Sequence, residues 1–215
     1  MISRALYDKV EARYGSVASW AVWEPQGERP KSNMGAHNVF NLEKNRTLLD
    51  TLRNDTVMLG LNLSREVKTS RTFSNFHDES PHANDFKIRY AFEGTPYYGS
   101  YMTDVLKNLI IPDSQDVRRY LNNNPVLVEP HIAALVAELA DLECERPTLL
   151  AFGRDAYGLL AEHLDKRLYR SLIRLTHYSH QMNKEKYRGE VLSQIAGAVV
   201  PSTPAGLVKQ VGHRD

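Results

Sequence analysis

Four short apolar runs constrain the fold of this chain more than any other feature of its sequence. They cover residues 56–61, 98–106, 147–153 and 171–176, and helical patterns lie between them and after the last one. Continuous apolar runs of this length are typical of strands that are buried on both faces. Helices that alternate with such strands pack on both sides of a parallel sheet. The sequence therefore predicts a three-layer α/β/α fold with a central four-stranded, mostly parallel sheet.

The composition is that of an ordinary globular domain. The chain has 215 residues, of which 42% are hydrophobic and 25% are charged. No run approaches the ~20 apolar residues of a membrane helix, and the first residues lack the apolar stretch of a signal peptide. Cys144 is the only cysteine, which excludes an internal disulfide and a multi-cysteine metal cluster. We expect one domain over residues 1–215, cytoplasmic and monomeric, without a membrane partner.

The net charge lowers the expectation of extensive nucleic-acid binding. It is +1, from 27 basic and 26 acidic residues. Proteins that cover themselves with nucleic acid are usually far more basic. A compact enzyme that touches a few phosphates around one base needs no such excess, so the charge does not decide the question.

Polar residues follow or interrupt each of the four runs. Ligands of open parallel sheets bind beyond the carboxyl ends of the strands, which makes these positions the first candidates for a site. They are Gly60-Leu61-Asn62, Thr103-Asp104, Gly153-Arg154-Asp155-Ala156 and His177-Tyr178-Ser179. We expect Asn62, Asp104 and His177 to meet in one pocket.

This ordered set resembles the motifs of the uracil-DNA glycosylase superfamily over about residues 56–195. Gly60-Leu61-Asn62 is similar to the Gly-x-Asn/Asp motif that positions water, and Thr103-Asp104 stands where a Thr-Asn pair is expected. The segment 153–156 is similar to a Gly-Arg/Lys-x-Ala turn. His177-Tyr178-Ser179 keeps the histidine and serine of a His-Pro-Ser motif, whereas Leu63 and Tyr178 stand where that family has proline.

The resemblance implies a DNA glycosylase that hydrolyses the N-glycosidic bond of a flipped damaged or deaminated base, without metal or cofactor. Asn62 would position water and His177 would stabilise the leaving base. Base-binding residues would be Gly60, Leu61, Phe73, Phe76 and Asp104, with one of the two phenylalanines stacked on the base. Contacts to single- or double-stranded DNA would come from Ser64, Arg154, Ser179, Met182 and Lys184, with Met182 as an apolar wedge in the duplex.

Each of these residues also has a purely structural explanation. Asn62 is a residue type that caps turns, and its amide is expected to be dispensable to folding. His177 fits a structural histidine, and the phenylalanines fit the core of a lid. Met182 is expected to pack beneath the last helix if it is not a wedge. Arg154 can pair with a carboxylate of its own helix.

Two other functions remain open on the same fold. One is a nucleic-acid or nucleotide-binding module that has lost its catalytic residues. The other is a hydrolase or transferase that acts on free nucleosides and needs no DNA groove.

Overall fold

The framework of the protein is one sheet with helices on both faces. The computed structural model describes residues 1–24, 37–63, 71–77 and 83–199. The strands are β1 (Ala18–Trp20), β2 (Arg53–Leu63), β3 (Ser100–Ile110), β4 (Thr148–Phe152) and β5 (Ser171–Leu175). Their order is β1-β3-β2-β4-β5, with β1 antiparallel to β3 and all other neighbours parallel.

The predicted α/β/α fold with a mostly parallel sheet is confirmed, but the described part of the chain forms five strands where we expected four. The additional strand is β1, which pairs with β3 at the edge of the sheet. Its three residues are too few to show a periodic pattern in the sequence.

Seven α-helices surround the sheet within the described residues. They are α1 (Arg4–Tyr14), α2 (Leu48–Thr51), α3 (Phe86–Phe92), α4 (Ser114–Asn123), α5 (Val128–Asp141), α6 (Arg154–His163) and α7 (Lys184–Val199). Short 3-10 helices cover His37–Phe40, Pro125–Leu127 and Lys166–Leu168. In this part of the chain, no helix combines the length and apolar character needed to cross a membrane.

The sequence pattern predicts a helix over 41–53, and this prediction is wrong for most of the segment. Only Leu48–Thr51 is helical, and β2 begins directly after it. The side chain of Asn41 accepts hydrogen bonds from the backbone N–H groups of Glu43 (2.9 Å) and Lys44 (3.2 Å). Such a local turn competes with the hydrogen bonds of a helix.

Apolar clusters cover the two faces of the sheet. Val57 and Leu59 of β2 lie in one cluster with residues of α1, α5 and α6, whereas Met58 lies in the other cluster with residues of α3 and α7. All three side chains are fully buried. This alternation explains why the strand is apolar at consecutive positions.

The segment 71–77 contributes to both clusters. Phe73 packs in the first cluster and Phe76 in the second, and both have positive φ angles of 58° and 63°. The left-handed backbone conformation costs an L-residue roughly 1–2 kcal/mol of free energy, so other contacts must stabilise this conformation. The Phe73 N–H donates to the Gly15 carbonyl (2.6 Å), and the Asn75 amide donates to the Val17 carbonyl (2.9 Å). These bonds place Asn75 beside the candidate site.

Candidate functional site

A cavity of about 840 Å³ lies at the carboxyl edge of the parallel strands. Gly60 and Asn62 line it from β2, Asp104 from β3, and His177 from the segment after β5. The segment 71–77 contributes Asn75 and Phe76, and the start of α6 contributes residues 154–156. The structure therefore brings Asn62, Asp104 and His177 together in one cavity.

The carboxylate of Asp104 is buried in this cavity and depends on Gly60. Asp104 and Gly60 are paired across β3 and β2, and Asp104 is 3% exposed. A Cβ at Gly60 would collide with Asp104 Oδ1 and would lie 3.2 Å from Phe76 Cζ. Burial raises the pKa of the Asp104 carboxyl to about 6, although the hydrogen bond from Asn75 and the charge of Lys107 act in the opposite direction.

Asn75 orients Asp104, a role that no motif in the sequence indicates. Its Nδ2 donates to Asp104 Oδ2 (2.9 Å) and to the Val17 carbonyl, while its Oδ1 accepts from the Phe76 N–H (3.0 Å). Hydrogen bonds of both Nδ2 and Oδ1 therefore fix the orientation of the Asn75 amide. Among the described residues, none donates a hydrogen bond to Asp104 Oδ1, so this oxygen is the acceptor available to a ligand.

Phe76 lines the cavity, and Phe73 does not. The Phe76 ring lies near Gly60 and meets the ring of Tyr178 edge to face, with 6.5 Å between centroids. Phe73 is fully buried in the first apolar cluster, against rings that include Tyr7 (5.5 Å) and Phe40 (5.4 Å). The assignment of Phe73 as a base-binding residue is therefore wrong, because its ring is committed to the core.

A hydrogen bond to Nδ1 and a lowered pKa keep the His177 ring neutral, with its proton on Nε2. The Ser179 N–H donates to Nδ1 (3.1 Å), and Ser179 Oγ lies 2.8 Å from the same nitrogen. A backbone amide can only donate, so Nδ1 carries no proton and the neutral ring has its proton on Nε2. Burial lowers the pKa of His177 to about 4. At neutral pH the ring therefore offers an uncharged N–H donor, and none of the described residues accepts from it.

Asn62 has a structural role in addition to its place in the cavity. Its Nδ2 donates to the carbonyl oxygens of Leu63 (2.8 Å), Ile111 (2.9 Å) and Leu109 (3.2 Å). These bonds tie β2 to β3 where their register shifts after Asn62. Three carbonyls around one nitrogen fix the orientation of the amide. Among the described residues none donates to Oδ1, so we expect this oxygen to accept from water or a ligand.

The expectation that the Asn62 amide is dispensable to folding is therefore wrong. Its removal leaves backbone carbonyl groups of two strands without this donor, at a cost of roughly 1–3 kcal/mol.

The first residues of α6 border the cavity next to His177. Gly153 has φ 89°, and a Cβ there would lie 3.5 Å from His177 Cβ. The Arg154 side chain is 74% exposed and lies 3.9 Å from Asp155, which also lies 3.7 Å from Arg118. Arg154 therefore lies at the mouth of the cavity, where its guanidinium group forms a long ion pair with Asp155.

The other predicted DNA contacts have different placements. Ser179 lines the cavity mouth. Met182 is half-buried and packs against the second apolar cluster, as expected for its structural alternative. Lys184 Nζ lies 5.0 Å from the Tyr90 ring centroid and 3.7 Å from Glu185. Leu61 lines the cavity and also packs in the first cluster. Ser64 lies outside the described residues.

Two basic side chains connect α3 with α7 and with the segment that precedes α7. Arg188 Nη1 donates to the carbonyl oxygens of Tyr90 (2.6 Å), Ala91 (2.9 Å) and Glu93 (3.0 Å). This guanidinium group caps the carboxyl end of α3 by binding its last carbonyl oxygens. Lys87 Nζ donates to the His180 carbonyl (3.0 Å). Both cations are therefore engaged by backbone oxygens.

No group of three or more histidine, cysteine, aspartate or glutamate side chains that could hold a metal ion is found among the described residues. No model of a known protein family matches the chain, and no curated protein matches it significantly. Inference about the function therefore depends on the geometry of the cavity.

The raised pKa of Asp104 predicts a stability effect with a defined sign. The folded-state pKa of about 6 exceeds the ordinary value of 3.8, so ionisation of this carboxyl costs the folded state up to about 3 kcal/mol as the pH rises through 6. Asp104→Asn keeps an acceptor for Asn75 without the charge. We expect this variant to be more stable than the wild type at about pH 8, with the difference disappearing towards about pH 4.

Urea unfolding over that pH range measures the difference in the free energy of unfolding. Asp116→Asn is the control, because Asp116 is exposed on α4 and lies 2.6 Å from Arg119. An equal difference between Asp104→Asn and the wild type at both ends of the range would contradict the prediction.

The environment of His177 predicts a specific NMR signature. The imidazole nitrogen shifts should identify the tautomer with the proton on Nε2, and the ring should titrate at about pH 4. Ser179→Ala should keep this tautomer, because the donor to Nδ1 is then still the backbone N–H of residue 179. A proton on Nδ1, or titration at the ordinary value of 6.5, would refute the assignment.

Proposed function

We propose that this protein hydrolyses the N-glycosidic bond between a sugar and a nucleic-acid base, as a glycosylase acting on a damaged or deaminated base of DNA. One observation carries the proposal. A neutral N–H donor (His177), an amide oxygen (Asn62), a buried carboxylate (Asp104) and an aromatic ring (Phe76) border the same cavity. The cavity volume of about 840 Å³ is in the range of small-molecule sites.

The chemistry of the reaction accounts for His177 and Asn62. Cleavage of the bond between C1′ and the base nitrogen places positive charge on the sugar and electron density on the base. A fixed N–H donor directed at an oxygen or nitrogen of the base stabilises this charge, and one such donor is worth about 3 kcal/mol. Asn62 Oδ1 holds the attacking water at C1′. The water proton passes to solvent, because an amide is too weak a base to keep it.

Phe76 and Asp104 account for recognition of the base. A base in duplex DNA must leave the helical stack before it can enter a cavity. Stacking on an aromatic ring contributes roughly 1–3 kcal/mol per base, and Phe76 supplies that ring. Asp104 Oδ1 accepts a hydrogen bond from an N–H group on the edge of the base, as carboxylates do with exocyclic amino groups.

A second candidate is hydrolysis of free nucleosides, and the charge of the cavity lining favours it. Among the described residues, four aspartates line the cavity, at positions 85, 104, 113 and 155, and Arg154 is the one lysine or arginine. Carboxylates repel the phosphates of a nucleic-acid strand. A free nucleoside carries no phosphate and avoids this repulsion.

Both candidates are tested by incubating the protein with single- and double-stranded oligonucleotides that carry uracil, hypoxanthine, xanthine, a mismatch or an alkylated base, and in parallel with the nucleosides. Alkaline strand scission detects base release from DNA, and chromatography detects free base. We expect release of at least one base, and a reduction of about 100-fold or more for His177→Ala.

His163→Ala is the matched control, because His163 lies at the far end of α6 beside Glu129 and Glu162. It should keep the wild-type rate. Equal rates for His177→Ala and the wild type would remove His177 from the mechanism. Release from nucleosides alone would select the second candidate, and no release from any substrate would refute both.

A further inference from the structure

We propose that the base bound in this cavity carries a positive charge, as guanine methylated at ring nitrogen N7, adenine methylated at N1 and cytosine methylated at N3 do. This inference rests on the proposed function, since it specifies the class of base that the same cavity accepts. It follows from the combination of aromatic walls with a buried carboxylate acceptor and from the lack of a buried cation among the described lining residues.

Aromatic rings form one wall of the cavity. Phe76, Phe152 and Tyr178 line it, and Tyr178 meets Phe76 at 6.5 Å and Phe152 at 5.4 Å between centroids. The two contacts are edge to face, with interplanar angles of 68° and 88°. Aromatic faces attract cations more strongly than neutral groups, and the attraction grows where water is excluded.

Asp104 supplies the negative charge at the buried end of the cavity. A carboxylate can only accept hydrogen bonds, so it is repelled by the carbonyl oxygens of a uracil or hypoxanthine edge and attracts a cationic edge. Lys107, the nearby cation, lies 2.5 Å from Glu138 Oε2 and also donates to Thr103. It is therefore engaged by another carboxylate and does not fully compensate Asp104.

The remaining polar groups of the lining do not oppose a cationic base. His177 is neutral and acts as a donor through Nε2, because burial lowers its pKa to about 4. Arg154 extends into solvent at 74% exposure and lies beside Asp155. Asp104 itself is mostly ionised at about pH 7.5, since its pKa is about 6.

A cationic base also simplifies the reaction. When the bond between C1′ and the base nitrogen breaks, its electron pair moves to the base and cancels the positive charge of the ring, so the base leaves as a neutral molecule. The oxygen of water bonds to C1′, and the proton lost from that water passes to solvent. The step needs no redox partner and less stabilisation of the leaving group than release of an anionic base.

Binding of methylated nucleosides that differ in charge tests the inference directly. The cationic 1-methyladenosine and 3-methylcytidine are compared with the neutral N6-methyladenosine and 5-methylcytidine, which carry the same number of methyl groups at another position and lack the one proton that gives the charge. We expect the cationic member of each pair to bind about tenfold more tightly or better in calorimetric titration at about pH 7.5. Asp104→Asn should remove most of this preference, and Asp116→Asn should retain it.

Equal affinity for the charged and neutral nucleosides overturns the inference, as does a preference that survives in Asp104→Asn. If the Asp104 variant fails to fold, Phe76→Leu gives the second test and should weaken the cationic preference through loss of an aromatic ring. Tyr178 is less suitable, because its ring stacks on His177 with 4.3 Å between centroids.

Base release separates this inference from the proposed function. Oligonucleotides with a single 7-methylguanine or 3-methylcytosine are compared with uracil and hypoxanthine substrates, and the matching nucleosides form a parallel set. Faster release of the alkylated bases supports both proposals. Release of uracil or hypoxanthine alone overturns the inference and leaves the glycosidic activity standing. Selective binding of cationic nucleosides without any base release supports the inference and refutes the catalytic proposal.

Discussion

The close packing of the Asp104 carboxylate over Gly60 is the contact on which the candidate site depends. The two residues are paired across β3 and β2, and a side chain at position 60 would occupy the space of the carboxylate. Asn75 binds the other carboxylate oxygen and is itself anchored to the Val17 carbonyl. Positions 73 and 76 adopt left-handed backbone on either side of this amide. The contacts of this segment offset the free-energy cost of that conformation, and they also place the Phe76 ring in the cavity.

The pKa values of Asp104 and His177, two of the titratable groups that line the cavity, are shifted by the same cause in opposite directions. Burial penalises the charged form of each group, so it raises the pKa of Asp104 to about 6 and lowers the pKa of His177 to about 4. At neutral pH the result is a buried negative charge on Asp104 and a neutral donor on His177 in the lining of one cavity. Their effects on stability also oppose each other. Acidification relieves the cost of the carboxylate at Asp104 and penalises the fold through His177, which binds a proton more readily when unfolded.

The sequence predicted the sheet and the convergence of Asn62, Asp104 and His177, because buried parallel strands are continuous apolar runs and their carboxyl ends share one edge. It did not predict β1, which is too short for a pattern, or the role of Asn75, which lies in a polar segment without periodicity. The choice between Phe73 and Phe76 depends on the backbone of segment 71–77, and residue type alone does not encode it. The backbone bonds of Asn62 were missed because they reach Leu109 and Ile111, far along the chain.

A crystal structure of the protein with 1-methyladenosine bound tests the proposed site most directly. We expect the base to lie beside Phe76 and Tyr178, with an N–H group of the base within hydrogen-bond distance of Asp104 Oδ1. Asn75 should remain on Oδ2. Binding of the nucleoside in another cavity, such as the one of about 530 Å³ beside Trp23 and Tyr98, would contradict the proposed site, as would a bound base without a contact to Asp104.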